Sequence, residues 1–307
     1  DYDRENVLML FNSAAFLADG RVLSRHHKTL LPTYDVFDEM RYFSPARHQE
    51  PVSYGGRLIG ITICEDIWND LDYDYASPVM RRYPVDPVKT LVDRGIDLLV
   101  SINASPYVRG KNSVKWAMIS AVARKNAVPV VYVNQAGGND SLIFDGNSFM
   151  VDAQGVFAAR AARFAEDLVV IDDTTAGKGP FPVEDELEDI RLALVLGLRD
   201  YVGKCGFKSI VVGLSGGIDS ALTAALAVQA LGSENVMGIT MPSPFSSRGS
   251  VDDSVRLAAN LGIRVETIPI GGLYGAYKDI LSGIFAGRPE DVTEENIQAR
   301  IRGNILM

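Results

Sequence analysis

Ser209-Ile-Val-Val-Gly-Leu-Ser-Gly-Gly-Ile-Asp-Ser220 is the stretch whose reading decides the fold. Ile210-Val-Val-Gly-Leu214 is a short apolar run between polar residues, the pattern of a strand buried in a parallel sheet. Ser215, Gly216 and Gly217 then make a tight loop, and Ile218, Asp219 and Ser220 open an Ala-rich helical stretch ending near Leu231. Two adjacent glycines let backbone N–H groups turn inward and a ligand approach closely. The helix N-terminus behind them adds unsatisfied donors and partial positive charge, so an anion is welcome there. No Gly-Lys-Ser/Thr follows, which excludes a Walker A loop. A Gly-rich strand–helix turn with no ligand is the alternative.

Outward from this loop the alternation continues. Downstream come a predicted strand at 236–241, a loop at 242–249, a helix at 250–261 and a strand at 264–270. This is the doubly wound α/β plan, in which ligands sit at the carboxyl ends of the strands. Upstream, residues 184–204 predict a helix, with acidic residues in its first turns. Asp172-Asp-Thr-Thr-Ala-Gly-Lys-Gly-Pro-Phe-Pro182 is dense in Gly, Pro and Thr and is the linker candidate. Before it, strands are predicted at 57–64, 97–103 and 129–134, and helices at 87–94 and 111–126. The second helix carries Val114, Ala117, Met118, Ala121 and Val122 at helical spacing. Residues 6–23 read as two strands around Ala18-Asp-Gly20, residues 25–45 as loop, and residues 148–159 as a closing hairpin. Strand–helix alternation framed by hairpins is an α/β layer structure. The expected domains are 1–175 and 184–307, joined by a linker at 176–183.

The chain has 307 residues, 47% hydrophobic and 22% charged, with a net charge of −9. That balance argues against a broad nucleic-acid surface but leaves room for a local basic pocket. No apolar run reaches the roughly 18 residues of a membrane helix, and no secretory signal is read. The two cysteines, Cys64 and Cys205, do not suggest a disulfide framework, so a reducing cytoplasm is the expected location. The three histidines lack ligand spacing for zinc. Both ends read as interior sequence: a strand-like run at 6–12 opens the chain, and a helical pattern at 294–307 closes it. The expectation is a piece of a longer protein.

A second chemistry-bearing position is Cys64, at the carboxyl end of a predicted strand and followed by Glu65-Asp-Ile-Trp68. A thiol of ordinary pKa is only a few per cent thiolate at neutral pH, so a nucleophile needs a cation or a base beside it. Lys28 is a candidate cation, although spacing alone does not bring the two together. On these residues alone a buried structural cysteine is equally open.

Lys28-Thr-Leu-Leu-Pro-Thr-Tyr-Asp-Val-Phe-Asp-Glu-Met-Arg-Tyr-Phe43, Ile63-Cys-Glu-Asp-Ile-Trp68 and Ser101-Ile-Asn-Ala-Ser-Pro-Tyr107 resemble the nitrilase-type (carbon–nitrogen hydrolase) glutaminase domain of the glutamine-dependent NAD synthetase family. That family uses a Glu–Lys–Cys triad. The resemblance implies that Cys64 forms a thioester with glutamine and that Lys28 stabilises the developing oxyanion, with Glu39 as an additional acidic residue beside the lysine. It also implies that Tyr34, Glu65, Ser105 and Lys111 contact glutamine. The triad's general-base Glu precedes the Lys in the family. Neither Asp1, Asp3 nor Glu5 has a matching context, so these residues alone are expected not to hydrolyse glutamine.

Leu214-Ser-Gly-Gly-Ile-Asp-Ser220 resembles the PP-loop of ATP pyrophosphatases. The resemblance implies that Gly213, Leu214, Ser215, Gly216, Gly217, Ile218, Asp219 and Ser220 bind ATP, with Asp219 on Mg²⁺. Asp219 read by itself is equally an ordinary helix N-terminal carboxylate. Thr293-Glu-Glu-Asn-Ile-Gln-Ala-Arg-Ile-Arg302 resembles the deamido-NAD segment, making Arg300 the first candidate contact and Arg302 the second. From the residues alone, that Arg pair equally suits a solvated helix face.

The implied fold is an incomplete nitrilase-like α/β sandwich followed by an incomplete Rossmann-like doubly wound sheet of the adenine nucleotide alpha hydrolase type. The implied activity is a C–N bond-forming ligase. Deamido-NAD is adenylated by ATP and amidated by ammonia from L-glutamine, in a cytoplasmic homo-oligomer that needs neither nucleic acid nor membrane. Another PP-loop glutamine amidotransferase, or a non-catalytic ATP-binding scaffold, is the alternative.

Overall fold

A computed structural model of the chain describes residues 9–69, 83–172, 177–286, 289 and 291–307. The chain divides into two compact units, Asp1–Gly137 with Leu142–Ala193, and Gly138–Ser141 with Leu194–Met307. Asp1, Asp3 and Glu5 lie outside the described residues, as do residues 6–8 of the expected first strand and residue 176 of the expected linker.

In the first unit, β1 (Ser13–Ala18) and β2 (Arg21–His27) pair as an antiparallel hairpin. Asp19 and Gly20 both have positive φ, 52° and 74°, as a two-residue hairpin turn requires. The first described strand therefore starts at Ser13, later than the run at 6–12 suggests. Then come β3 (Val52–Tyr54), β4 (Arg57–Ile63), α1 (Pro87–Val92), β5 (Leu98–Asn103), α2 (Lys111–Asn126), β6 (Val130–Asn134), β7 (Ala136–Asn139), β8 (Leu142–Asp145), β9 (Phe149–Val151) and β10 (Phe157–Arg160). One six-stranded sheet runs in the order β10-β9-β6-β5-β4-β3. Its centre, β4, β5 and β6, is parallel, with antiparallel strands added on both sides.

The register brings the carboxyl ends of the parallel strands level: Ile63 lies opposite Ile102, and Asn103 opposite Asn134. Met118, Ile119 and Val122 of α2 pack into a core with Leu99, Val130, Tyr132 and Val151. Each such side chain contributes roughly 1.5–3 kcal/mol by leaving water. The stripe expected along α2 is rotated by about one residue. Val114 is exposed, whereas Lys115 is buried, its ammonium 3.6 Å from the buried Asp145 carboxylate and above the Tyr132 ring. A paired lysine thus takes a position that apolar periodicity assigns to valine.

The chain passes between the units within α3 (Glu186–Lys204). In the second unit, β11 (Ile210–Leu214), α4 (Ile218–Leu231), β12 (Val236–Thr240), α5 (Arg248–Leu261) and β13 (Arg264–Thr267) alternate, followed by α6 (Gly271–Phe285) and α7 (Val292–Leu306). The three strands are parallel in the order β11-β12-β13. Strand alternation sorts β12 between two cores. Val236 joins Ala224 and Ala227 of α4 and Ala258 of α5, while Ile239 joins Ile270, Tyr274 of α6 and Ile301 of α7. Alanines let α4 lie close on the sheet. Asp291 caps α7 by accepting from the Thr293 N–H, and Glu294 reaches back to the Asp291 N–H. None of the described helices is long and apolar enough to cross a membrane.

Candidate active sites

Strand β4 ends at Ile63, and the chain turns at once into a short 3-10 segment, Cys64–Ile67. Cys64 takes φ 48°, in the left-handed region that a non-glycine residue enters only when its surroundings hold it there. The half-buried Cys64 opens onto a cavity of about 420 Å³. Lys28, Glu39 and Asn12 line the same cavity, as do Asn103, Ala104 and Asn134 from the ends of β5 and β6. The structure thus brings together the three residues that sequence reasoning named as catalytic.

Lys28 is buried at 1% exposure and donates to Glu39 Oε1 at 2.5 Å, while Asn12 Nδ2 donates to Glu39 Oε2 at 3.2 Å. Glu39 therefore fixes the ammonium and compensates its buried charge. Breaking such a pair typically costs about 3–5 kcal/mol, because the survivor is left uncompensated. Burial pushes the Cys64 thiol pKa up, the Lys28 ammonium pulls it back, and the nearby Glu65 charge raises it again. An N–H of Ala104 also favours the thiolate, and Glu39 opposes it.

The neighbouring carboxylate, Glu65, accepts from Tyr34 Oη at 2.8 and 3.0 Å and from Tyr83 Oη at 3.2 Å. Burial raises its pKa, against the pull of the two hydroxyls and of Lys28 and Lys111. Burial lowers the Lys111 pKa, which Cys64, Asp145 and Glu65 oppose; its ammonium lies 5.7 Å from the Trp68 ring centroid. Burial and the Glu65 charge raise Tyr34. Ser105 is buried, with its N–H donated to Asn134 Oδ1 at 2.9 Å. Sequence reasoning missed Asn12, Asn103, Asn134 and Tyr83. An available signal was that both Asn103 and Asn134 end a predicted parallel strand, where such a fold places its ligands.

The second unit's site is built mainly from backbone. Gly216 has φ +80°, and a Cβ there would stand 2.5 Å from the Ser250 carbonyl oxygen. Only glycine fits both demands. The Ser220 hydroxyl accepts from the Ser215 N–H at 3.2 Å and donates to the Gly217 carbonyl at 2.9 Å. The Gly217 N–H donates to Ser215 Oγ at 3.2 Å. The loop is closed on itself at the N-terminus of α4, with Ile218 and Asp219 exposed beside it.

Gly213, Leu214 and Ser215 line a cavity of about 340 Å³ with Thr240, Met241, Ser246, Ser250 and Arg302. Arg302 donates from Nε to the Met241 carbonyl at 3.1 Å. Arg300, the first candidate for deamido-NAD, is exposed and donates to the Asn296 carbonyl; it does not line this cavity. Among the described residues no group of three or more His, Cys, Asp or Glu gathers to hold a metal. Asp219 is an exposed carboxylate in the first turn of α4, and a single carboxylate suits Mg²⁺ only where water and phosphate oxygens supply most of its ligands.

Residues 80–176 match the carbon-nitrogen hydrolase family, and residues 190–307 match the NAD synthase family. A glutamine-dependent NAD(+) synthetase from Synechocystis sp. is 47% identical, over 99% of this chain and 55% of its own length. The enzyme of that name from Thermotoga maritima is 39% identical, over 97% of this chain and 56% of its own. The solved glutamine-dependent NAD+ synthetase of Acinetobacter baumannii, in complex with ADP, superposes with a TM-score of 0.88 at 37% identity. It covers 100% of this chain and 56% of its own. The chain thus spans about half the length of the curated relatives it matches.

Proposed function

We propose that the chain belongs to the glutamine-dependent NAD(+) synthetase family and carries the glutamine site and the adenylating loop of a glutamine-hydrolysing NAD synthetase. At the first site the Cys64 thiolate attacks the side-chain amide carbon of L-glutamine. The C–N bond breaks, ammonia leaves with the proton it gains, and a γ-glutamyl thioester remains. Water then cleaves the thioester, giving glutamate and the free thiol. Lys28, held by Glu39, faces the oxygen that becomes anionic; one such donor is worth roughly 3–4 kcal/mol in acyl transfer. Tyr34, Glu65, Ser105 and Lys111 hold the amino-acid end of the substrate, with Glu65 suited to the α-ammonium and Lys111 to the α-carboxylate. The base that takes the thiol proton is assigned to a glutamate outside these residues.

At the second site the loop at 213–220 cradles the phosphates of ATP by its N–H groups and the Ser215 and Ser220 hydroxyls. The deamido-NAD carboxylate attacks the α-phosphorus, pyrophosphate leaves, and ammonia then displaces AMP from the acyl-adenylate to give the amide of NAD. Mg²⁺ bound at Asp219 would neutralise charge on the departing pyrophosphate. Arg300 is assigned to deamido-NAD.

The observation that carries this reading is the meeting of Cys64, Lys28 and Glu39 on one cavity at the end of β4. It is tested by treating the intact protein with an electrophilic chloroketone analogue of glutamine and mapping the modified peptide. Modification at Cys64, slowed by added glutamine, is expected. Modification of Cys205 instead, or no protection by glutamine, would sink the assignment.

A further inference from the structure

Lys28 and Cys64 come from segments with no local sequence connection, yet the chemistry needs the ammonium fixed relative to the sulfur. One buried carboxylate touches the backbone on both sides of that gap. Asp66 is 1% exposed. Its Oδ1 accepts from the Thr29 N–H at 3.0 Å and the Leu30 N–H at 2.8 Å, the two amides immediately after Lys28. Its Oδ2 accepts from the Ile63 N–H at 3.1 Å, the amide immediately before Cys64. We propose that Asp66 is a positioning residue that clamps the Lys28 segment to the Cys64 turn and so sets the distance between the ammonium and the sulfur.

Four features of the site support the clamp. Cys64 sits at φ 48°, a conformation that needs outside support, and the Ile63–Asp66 bond closes the turn that contains it. The Lys28 ammonium is tethered to Glu39, so the remaining freedom of that lysine lies in its backbone, which Asp66 restrains from the next two residues. Glu65, between Cys64 and Asp66, points instead to Tyr34 and Tyr83. Adjacent carboxylates thus serve different tasks, one toward the substrate side and one toward the scaffold. Asp66 also has its pKa raised to about 6 by burial, which its three N–H donors only partly offset. Its three N–H donors need two acceptor oxygens, which a carboxylate supplies and an amide of the same size does not.

The inference rests on Cys64 being the nucleophile, but its test is read on the thiol itself. In the intact protein, the rate of iodoacetamide alkylation at Cys64 is followed against pH by peptide mapping, with the exposed Cys205 as internal reference. Lys28→Met should raise the Cys64 midpoint; if it does not, the nucleophile reading itself fails. Asp66→Asn retains an acceptor for Thr29 and Leu30 and loses the one for Ile63, whereas Asp66→Ala loses all three.

Both Asp66 variants are expected to raise the Cys64 midpoint by about one pH unit, which slows alkylation about tenfold at a fixed pH below it. Cys205 should not change, and neither variant should add a shift in the Lys28→Met background. A direct electrostatic role would move the midpoint down instead, because a negative charge is removed. A downward shift or none, in folded variants that still respond to Lys28→Met, overturns the clamp. Hydrogen exchange on the unmodified protein gives a test independent of variant folding. The amides of Thr29, Leu30 and Ile63 should lose protection as one unit, and independent exchange would contradict the proposal.

Discussion

The two sites solve the problem of holding reactive groups in opposite ways. At Cys64 the work is done by side chains drawn from separate segments onto one cavity, with charges that compensate one another. At the loop after β11 it is done by backbone, with N–H groups and two serines folded around glycines at an exposed helix N-terminus. The difference teaches where each site is vulnerable. A side-chain site should lose chemistry when one atom group is removed. A backbone site should tolerate such loss and fail when the path of the chain is changed.

The sharpest way to break that contrast is Gly216→Val. Its Cβ would meet the Ser250 carbonyl oxygen at 2.5 Å at a φ of +80°. Strain and overpacking each cost about 1–3 kcal/mol. Thermal unfolding should fall by several degrees, and nucleotide affinity, followed by titration calorimetry, should drop at least about a hundredfold. Wild-type affinity in a folded variant would show that the loop is not the nucleotide site.

Lys28→Met comes next. On the proposed mechanism this removes the oxyanion donor and should lower kcat for glutamine about a hundred- to a thousandfold, while synthesis from ammonium stays within about twofold. Equal losses with both nitrogen sources would mean that the lysine is structural for the whole protein. Ser220→Ala is the counterpart in the second unit. It removes one hydroxyl from a loop whose N–H donors remain, so about 1 kcal/mol is lost, or about fivefold in nucleotide affinity. A loss as large as that of Gly216→Val would break the contrast.

The smallest expected effect concerns pH. Burial raises the Asp66 pKa from 3.8 to about 6 in the folded state. The unfolded chain therefore releases this proton first, and the folded state retains it between those values. Below about pH 4 both states are protonated and the favourable contribution is fully present; it is lost as pH rises through about 6. Wild-type stability should fall by this contribution between pH 4 and 6, and Asp66→Asn should remove that fall. Parallel stability–pH curves for the two proteins would show that Asp66 ionises in the fold as it does in the unfolded chain.

Legibility in the sequence followed the same division. Backbone features were plain: Gly216-Gly217 after an apolar run marked strand, loop and helix, and Asp19-Gly20 marked a hairpin turn. Cys64 was readable as the end of a strand, and the resemblance named Lys28 with it; Asn103 and Asn134 were not named, because they reach its cavity only through the register of β5 and β6. Two elements were hidden by composition. Helix α6 begins Gly271-Gly-Leu-Tyr-Gly275, whose three glycines are weak helix formers that tertiary packing of Tyr274 overrides. Lys115 occupies the core side of α2 because Asp145, on another element, pairs with it. From the residues alone, without the resemblance, the tasks of the neighbouring Glu65 and Asp66 could not be told apart either, since Tyr34 and Tyr83 beside one and Thr29 and Leu30 beside the other lie far away along the chain.

The most direct test of the central claim, that glutamine chemistry at Cys64 is separate from adenylation at the loop, is Cys64→Ala in the intact protein, with AMP and NAD formation measured from ATP and deamido-NAD. The account predicts that product formation with glutamine is abolished while formation with added ammonium stays within about twofold of wild type. Loss of both, or undiminished use of glutamine, would contradict it.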